Sequence, residues 1–162
     1  MKLKYLHIIL VLFLLASVIG CAPPVQAPET QAAVTRVIDG DTIEVNISGA
    51  IYKVRYIGVD TPEMNDTRPE FRTLAQEATD FNKQLVEGKT VRLKKDISET
   101  DRYNRLLRYV YVDDTFVNAE LVKYGLAWAK AYAPDTKYQG YFEELEAKAR
   151  EAGLGIWTVA GE

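Results

Sequence analysis

Residues 34–63 read VTRVIDGDTIEVNISGAIYKVRYIGVDTPE, and the period of the apolar positions in this stretch is nearer two than the 3.6 of a helix. Segments 34–38, 42–47 and 51–57 are short, β-branched and partly alternating, with Asp39-Gly40 and Ser48-Gly49 between them. Side chains branched at Cβ are stiff and pack well on a pleated surface, while Asp-Gly and Ser-Gly pairs favour tight turns. The stretch predicts a three-stranded meander.

Downstream the period changes. Across 69–87, Phe71, Leu74, Ala75, Ala78, Phe81, Leu85 and Val86 fall on one helical face, and Gly88 follows as a stop. Segments 90–94 and 107–112 alternate again, and Asp113-Asp114 turns the second into 115–117. Asn118 is placed to cap a short helix through Tyr124, closed by Gly125; Tyr138, Tyr141, Phe142, Leu145 and Ala149 define a last helix ending near Gly153. The plan is α+β, mainly β: a five-stranded OB-fold-type barrel braced by three helices. A twisted open sheet packed by helices gives a similar linear pattern.

Upstream, Lys2 and Lys4 precede an apolar run over 8–19, and Val18-Ile19-Gly20-Cys21 follows the order of a lipoprotein signal peptide. The run is shorter than the ~20 apolar residues that cross a bilayer, which favours cleavage over a retained span. Cys21 is the sole cysteine, and lipidation accounts for an unpaired thiol in an exported protein. Segment 22–32 (APPVQAPETQA) has three prolines and no apolar period, the composition of a tether. The expected organisation is a signal peptide over 1–20, a lipidated Cys21 and tether over 21–32, and one domain over 33–162. The protein is thus expected outside the cytoplasm, anchored to a membrane by lipid. No repeat or second linker appears, and a monomer is the default.

Charge and composition narrow the chemistry. The chain carries 20 Lys+Arg against 23 Asp+Glu, and loss of Lys2 and Lys4 with the signal shifts the balance further negative. A protein gripping many phosphates by charge alone is normally basic, so any nucleic-acid role here rests on local positive charge, a bound cation, or both. The single histidine, His7, lies in the signal segment. Ser-His triads, thiol nucleophiles and His-based zinc sites therefore lack their essential groups in the mature chain. Carboxylates, Arg, Lys, Tyr or an oxygen-held metal remain.

Two acidic segments, IDGDT (38–42) and VDTPE (59–63), stand at strand ends. Singly, each reads as turn chemistry. If the two ends converge, Asp41, Asp60 and the Thr61 carbonyl form an all-oxygen site suited to a hard cation such as Ca²⁺. Glu63, beyond the strand-breaking Pro62, is the candidate for activating water. Arg55 lies within a strand and Arg105 in the polar loop 97–105, where each by itself also reads as a solvated surface charge. Two guanidiniums on one phosphate match its oxygens in a forked geometry that Lys lacks. Tyr103 and Tyr132 can either fill the barrel surface and core edges or stack on bases. Lys83, Lys89, Lys94, Lys95 and Lys130 read as scattered solvated charges.

The segments IDGDT (38–42), VRYIGVDTPE (54–63), TDRYNR (100–105), LRYVYV (107–112), VNAELVKYGLA (117–127) and GIW (155–157) resemble the staphylococcal nuclease family in order and approximate spacing. The resemblance implies Asp41 and Asp60 as calcium ligands with the Thr61 carbonyl, Glu63 as the residue that activates or orients water, and Arg55 and Arg105 as phosphate and transition-state binders. It implies calcium-dependent hydrolysis of phosphodiester bonds in DNA, RNA or both, leaving 3′-phosphate and 5′-hydroxyl ends. Asn104 stands where the family usually has Gly, and Asn tolerates a left-handed backbone better than most residues. The alternative reading is a non-catalytic OB-type module that binds nucleic acid or protein at the cell envelope.

Overall fold

A computed structural model describes residues 29–159. The expected signal segment, Cys21 and the first part of the tether lie outside the described residues. The strands are β1 (Glu29–Val37), β2 (Thr42–Ile47), β3 (Ala50–Tyr56), β4 (Val59–Asp60), β5 (Thr90–Lys94), β6 (Leu106–Val112), β7 (Thr115–Phe116) and β8 (Trp128–Ala129). The helices are α1 (Pro69–Val86), α2 (Val117–Lys123), α3 (Gln139–Glu151) and a single turn, α4 (Ile156–Val159).

The sheet runs β3-β2-β1-β5-β6, and β3 also pairs with β6, which closes five strands into a barrel. Closure is parallel, with Val54, Arg55 and Tyr56 opposite Leu106, Leu107 and Arg108. The open-sheet alternative is thereby excluded. The apolar parity of the meander faces inward: Ile43, Val45, Val54, Val91 and Val110 are fully buried. Burial of each such side chain contributes roughly 1.5–3 kcal/mol. On the outside, α1 lays Phe71, Leu74, Ala75, Ala78 and Val86 against the rest of the fold, as its 3.6-residue period requires.

Three details differ from the sequence expectations. First, β1 begins at Glu29, so residues assigned to the tether belong to the barrel; Glu29 to Ala33 pair with β5, and Ala32 is buried. Second, Asn118 does not cap α2. It sits inside the helix, fully buried, accepting from the Val110 amide and donating to the Ile57 carbonyl, each at 2.9 Å. Third, β4 and β8 form a small ribbon of their own, and α4 adds a fourth helix to the expected three.

The β3–β4 turn is made possible by Gly58. Its φ is +78°, and a Cβ there would lie 2.6 Å from the Phe142 ring, so both the backbone conformation and the packing of α3 require glycine.

Candidate active site

A cleft of about 530 Å³ opens where the β1–β2 turn, β4 and the loops carrying Arg105 and Tyr132 meet. Its floor is built from the turn that the sequence writes as Ile38-Asp39-Gly40-Asp41. The Ile38 and Asp39 amides donate to the Thr42 carbonyl at 2.9 and 3.3 Å, and the Asp41 amide donates to Asp39 Oδ1 at 3.1 Å. Asp side chains commonly organise such turns. Behind the turn, Asn82 of α1 donates to the Asp39 carbonyl at 3.0 Å and accepts from the Tyr56 hydroxyl at 2.9 Å.

The two acidic segments converge. The Thr61 amide and hydroxyl donate to Asp41 Oδ2 at 2.9 and 3.1 Å. Arg55 Nη2 lies 3.1 Å from that same oxygen and 2.7 Å from Asp60 Oδ1. The other terminal nitrogen of Arg55 donates to the Tyr56 and Val59 carbonyls at 2.9 and 2.8 Å. Arg55 is therefore fixed by three hydrogen bonds and an ion contact with Asp41, with its side chain only 14% exposed.

Electrostatics at the floor are strained. Burial pushes the Asp41 carboxyl up to about 6; the Arg55 guanidinium opposes this, and the Asp39 carboxylate reinforces it. Glu63 stands exposed on the rim. Its carboxyl is also raised, by partial desolvation and then by the Asp39 and Asp60 charges, against Arg55 and Arg105.

On the opposite wall, Asp101 organises the second arginine. Asp101 Oδ1 accepts from the Arg105 and Tyr103 amides, each at 2.9 Å, and Oδ2 accepts from Arg105 Nε at 2.7 Å. Burial works against the Asp101 charge, yet the Arg105 amide and guanidinium and the Tyr103 amide outweigh it and hold the carboxyl below its ordinary value. Asn104, between the two, has φ +62°, a left-handed conformation that Asn tolerates better than most residues. The buried Asp135 accepts from the Ile97 and Ser98 amides at 2.9 and 2.8 Å, which ties this loop to the one bearing Tyr132.

Asp41, Asp60, Thr61 and Arg55 thus form one cluster, and Glu63, Tyr103, Arg105 and Tyr132 line the same cleft. Tyr103 and Tyr132 are 65% and 63% exposed at its mouth, with the Arg102 and Arg105 guanidiniums 4.8 and 5.5 Å from the Tyr103 ring centroid and Lys130 Nζ 5.8 Å from that of Tyr132. Cys21 lies outside the described residues. Sequence reasoning missed Asp101 and Lys130. Lys130 is no scattered surface charge: its Nζ donates to Asp60 Oδ2 at 2.7 Å. An Asp at the head of the polar run Asp101-Arg102-Tyr103-Asn104 was a readable turn signal for Asp101; nothing local marked Lys130, which meets Asp60 across 70 residues of chain.

Residues 53–159 match the sequence family described as "Staphylococcal nuclease homologue". The chain belongs to the staphylococcal nuclease family. Among curated relatives it is 42% identical to the thermonuclease of Staphylococcus hyicus over 132 residues, covering 82% of this chain and 78% of the relative. It is 40% identical to the thermonuclease of Staphylococcus intermedius over 124 residues, covering 76% and 74%. Endonuclease YncB of Bacillus subtilis is 41% identical over 128 residues, covering 78% of this chain and 61% of the relative. The staphylococcal nuclease span contains Arg55, Asp60, Glu63 and Arg105, whereas Asp41 precedes it and is joined to it by Thr61 and Arg55.

Calcium is the cation the family resemblance implies, and the donor chemistry fits it. Among the described residues no three His, Cys, Asp or Glu side chains gather into a ready-made cage. Two carboxylates do converge on a single Arg55 nitrogen, and burial disfavours the Asp41 charge. Oxygen donors of this kind suit a hard cation that completes its shell with carbonyl and water.

Proposed function

We propose that this chain is a calcium-dependent nuclease that hydrolyses phosphodiester bonds in DNA, with RNA as a second substrate to be tested, leaving 3′-phosphate and 5′-hydroxyl ends. The observation that carries the reading is the convergence of Asp41, Asp60 and Arg55 at the floor of a cleft whose walls hold Glu63 and Arg105. Family membership, and relatives named thermonuclease and endonuclease, support it.

Asp41, Asp60 and the Thr61 carbonyl would hold the cation, and Ca²⁺ when bound there supplies positive charge that polarises the phosphate. Arg55 and Arg105 add fixed charge on the phosphate oxygens, where negative charge grows as water adds to phosphorus. Glu63 accepts a hydrogen bond from that water and orients it or takes its proton. As the new P–O bond forms, the bond to the 5′ oxygen breaks, and that oxygen leaves with a proton from solvent. Tyr103 and Tyr132 border the bases, a contact available to any sequence. A scissile phosphate reached by both arginines and a water favours single-stranded or frayed substrate.

The location proposed is outside the cytoplasm, with the monomer tethered to a membrane by lipid on Cys21. Incorporation of labelled fatty acid that disappears in Cys21→Ser tests the anchor.

The test of function is digestion of single-stranded DNA, duplex DNA and RNA by the chain from residue 22 onward, with calcium, magnesium or chelator, beside Arg55→Ala and Arg105→Ala. Calcium-dependent cleavage that collapses in both variants is expected. A folded, calcium-loaded protein that cleaves none of these substrates overturns the reading in favour of a non-catalytic binding module.

A further inference from the structure

The two carboxylates of the cation site have different neighbours. Asp41 is enclosed by Thr42, Thr61 and Arg55. Asp60 Oδ2 faces the open side of the cleft, where it accepts from Lys130. The two cations on Asp60 also differ in freedom. Arg55 is bound at both terminal nitrogens and 14% exposed, whereas the Lys130 side chain is 48% exposed. The Lys130 backbone is fixed, its amide donating to the Gly58 carbonyl at 2.9 Å. A rigid root and a four-carbon stem let the ammonium swing without moving the loop.

A dication held by Asp60 places its charge a few ångströms from that ammonium. Like charges at this spacing repel, and Asp60 has less charge left to offer. Arg55 is held by two backbone carbonyls as well, so Lys130 is the group that gives way. While paired with Asp60, its Nζ already lies 5.8 Å from the ring centroid of the exposed Tyr132. A base stacked on Tyr132 brings its phosphate within reach of such an ammonium.

We propose that Lys130 is a displaceable counterion: it occupies Asp60 in the metal-free protein, is driven off by the cation, and then contacts a phosphate of nucleic acid lying along Tyr132. The inference rests on the nuclease reading above and adds an order of events, cation first and strand second. It also gives this acidic protein a positive charge for its substrate that is exposed only when the site is loaded.

The experiment compares wild type, Lys130→Met and Lys130→Arg by calorimetric titration with Ca²⁺ in the absence of nucleic acid. It then measures binding of a labelled, hydrolysis-resistant phosphorothioate single strand at saturating Ca²⁺ over a range of salt. In Lys130→Met, Ca²⁺ affinity is expected to rise about two- to fivefold, the scale of an exposed ion pair removed. Strand affinity is expected to fall about three- to tenfold, and the slope of log affinity against log salt to shrink by about 0.7, one phosphate contact on a single strand. Lys130→Arg keeps a slope near wild type. Wild type that binds no Ca²⁺ overturns the nuclease reading and this inference together. Wild type that binds both ligands, with either change missing in Lys130→Met, overturns the inference alone.

Discussion

The Thr61 amide and hydroxyl both donate to one oxygen of Asp41, at 2.9 and 3.1 Å, so the two acidic turns are clamped to each other. What stands behind Thr61 then matters. A Cβ on Gly40 would lie 2.8 Å from Thr61 Oγ1 and Cγ2 and 2.8 Å from the Ala78 Cβ. Ala78 is in α1 and has nowhere to retreat. Gly40→Ala is therefore expected to destabilise the protein by about 1–3 kcal/mol and to weaken Ca²⁺ binding by displacing Thr61. Urea unfolding with and without Ca²⁺ measures both; wild-type stability and calcium response in the variant would mean that Thr61 is positioned by something else.

The pH behaviour of the metal-free protein follows from Asp41. Its carboxyl is raised in the folded state, from 3.8 to about 6. The stability associated with that shift is fully present below the unfolded value and is lost as pH rises through about 6, because the buried group must then ionise. In calcium-free buffer, wild type should lose stability relative to Asp41→Asn between about pH 4 and 7, by a few kcal/mol at most. Calcium should close the gap by favouring the ionised carboxylate. Parallel stability curves for the two proteins would show that Asp41 does not titrate in this window.

Asn118 joins the Val110 amide of β6 to the Ile57 carbonyl beyond β3, inside the core. Removing its side chain strands two buried backbone groups, each at roughly 1–3 kcal/mol. Asn118→Ala should lower thermal stability more than a cap substitution, which typically costs ~1 kcal/mol. A loss within the cap range would show that water replaces the amide.

Asn118 also marks where the sequence stops being legible. Its position between a strand and a helical run reads as a cap because capping is a local rule, but its partners are a strand and a turn brought near only by barrel closure. The same limit applies to residues 29–32, whose Glu-Thr-Gln-Ala composition has little strand preference; pairing with β5 makes them a strand. By contrast, the meander and α1 were readable because their apolar periods match the faces they bury. The convergence of Asp41 and Asp60 was legible because strand ends bear them, whereas Arg55, within a strand, was singled out by the family resemblance. Lys130 was not, since its role is defined wholly by a contact with Asp60 from a distant loop.

Asp101 holds Arg105 by its amide and by Nε, leaving the guanidinium's terminal nitrogens for a phosphate. Asp101→Ala should free the loop and lower kcat severalfold or more while leaving Ca²⁺ affinity near wild type, because no part of the Asp41–Asp60 pair is touched. Calorimetry beside steady-state kinetics separates the two. A parallel loss of calcium binding would place Asp101 in the cation site instead of behind Arg105.

Glu63 and Asp41 should separate most sharply. Glu63 is on the exposed rim, outside the cluster that Arg55 draws together, and its carboxyl is raised by desolvation and by the Asp39 and Asp60 charges. A group so placed is poised to accept a proton from water, and the amide of Glu63→Gln cannot do so. That substitution is expected to lower turnover by at least 10²-fold while leaving Ca²⁺ affinity nearly unchanged. Asp41→Ala should act in the opposite order, losing calcium binding first and activity as a consequence, with partial recovery at high Ca²⁺. If Glu63→Gln instead behaves as a calcium mutant that excess metal rescues, the carboxylate belongs to the cation's shell, and the water must be oriented by another group in the cleft.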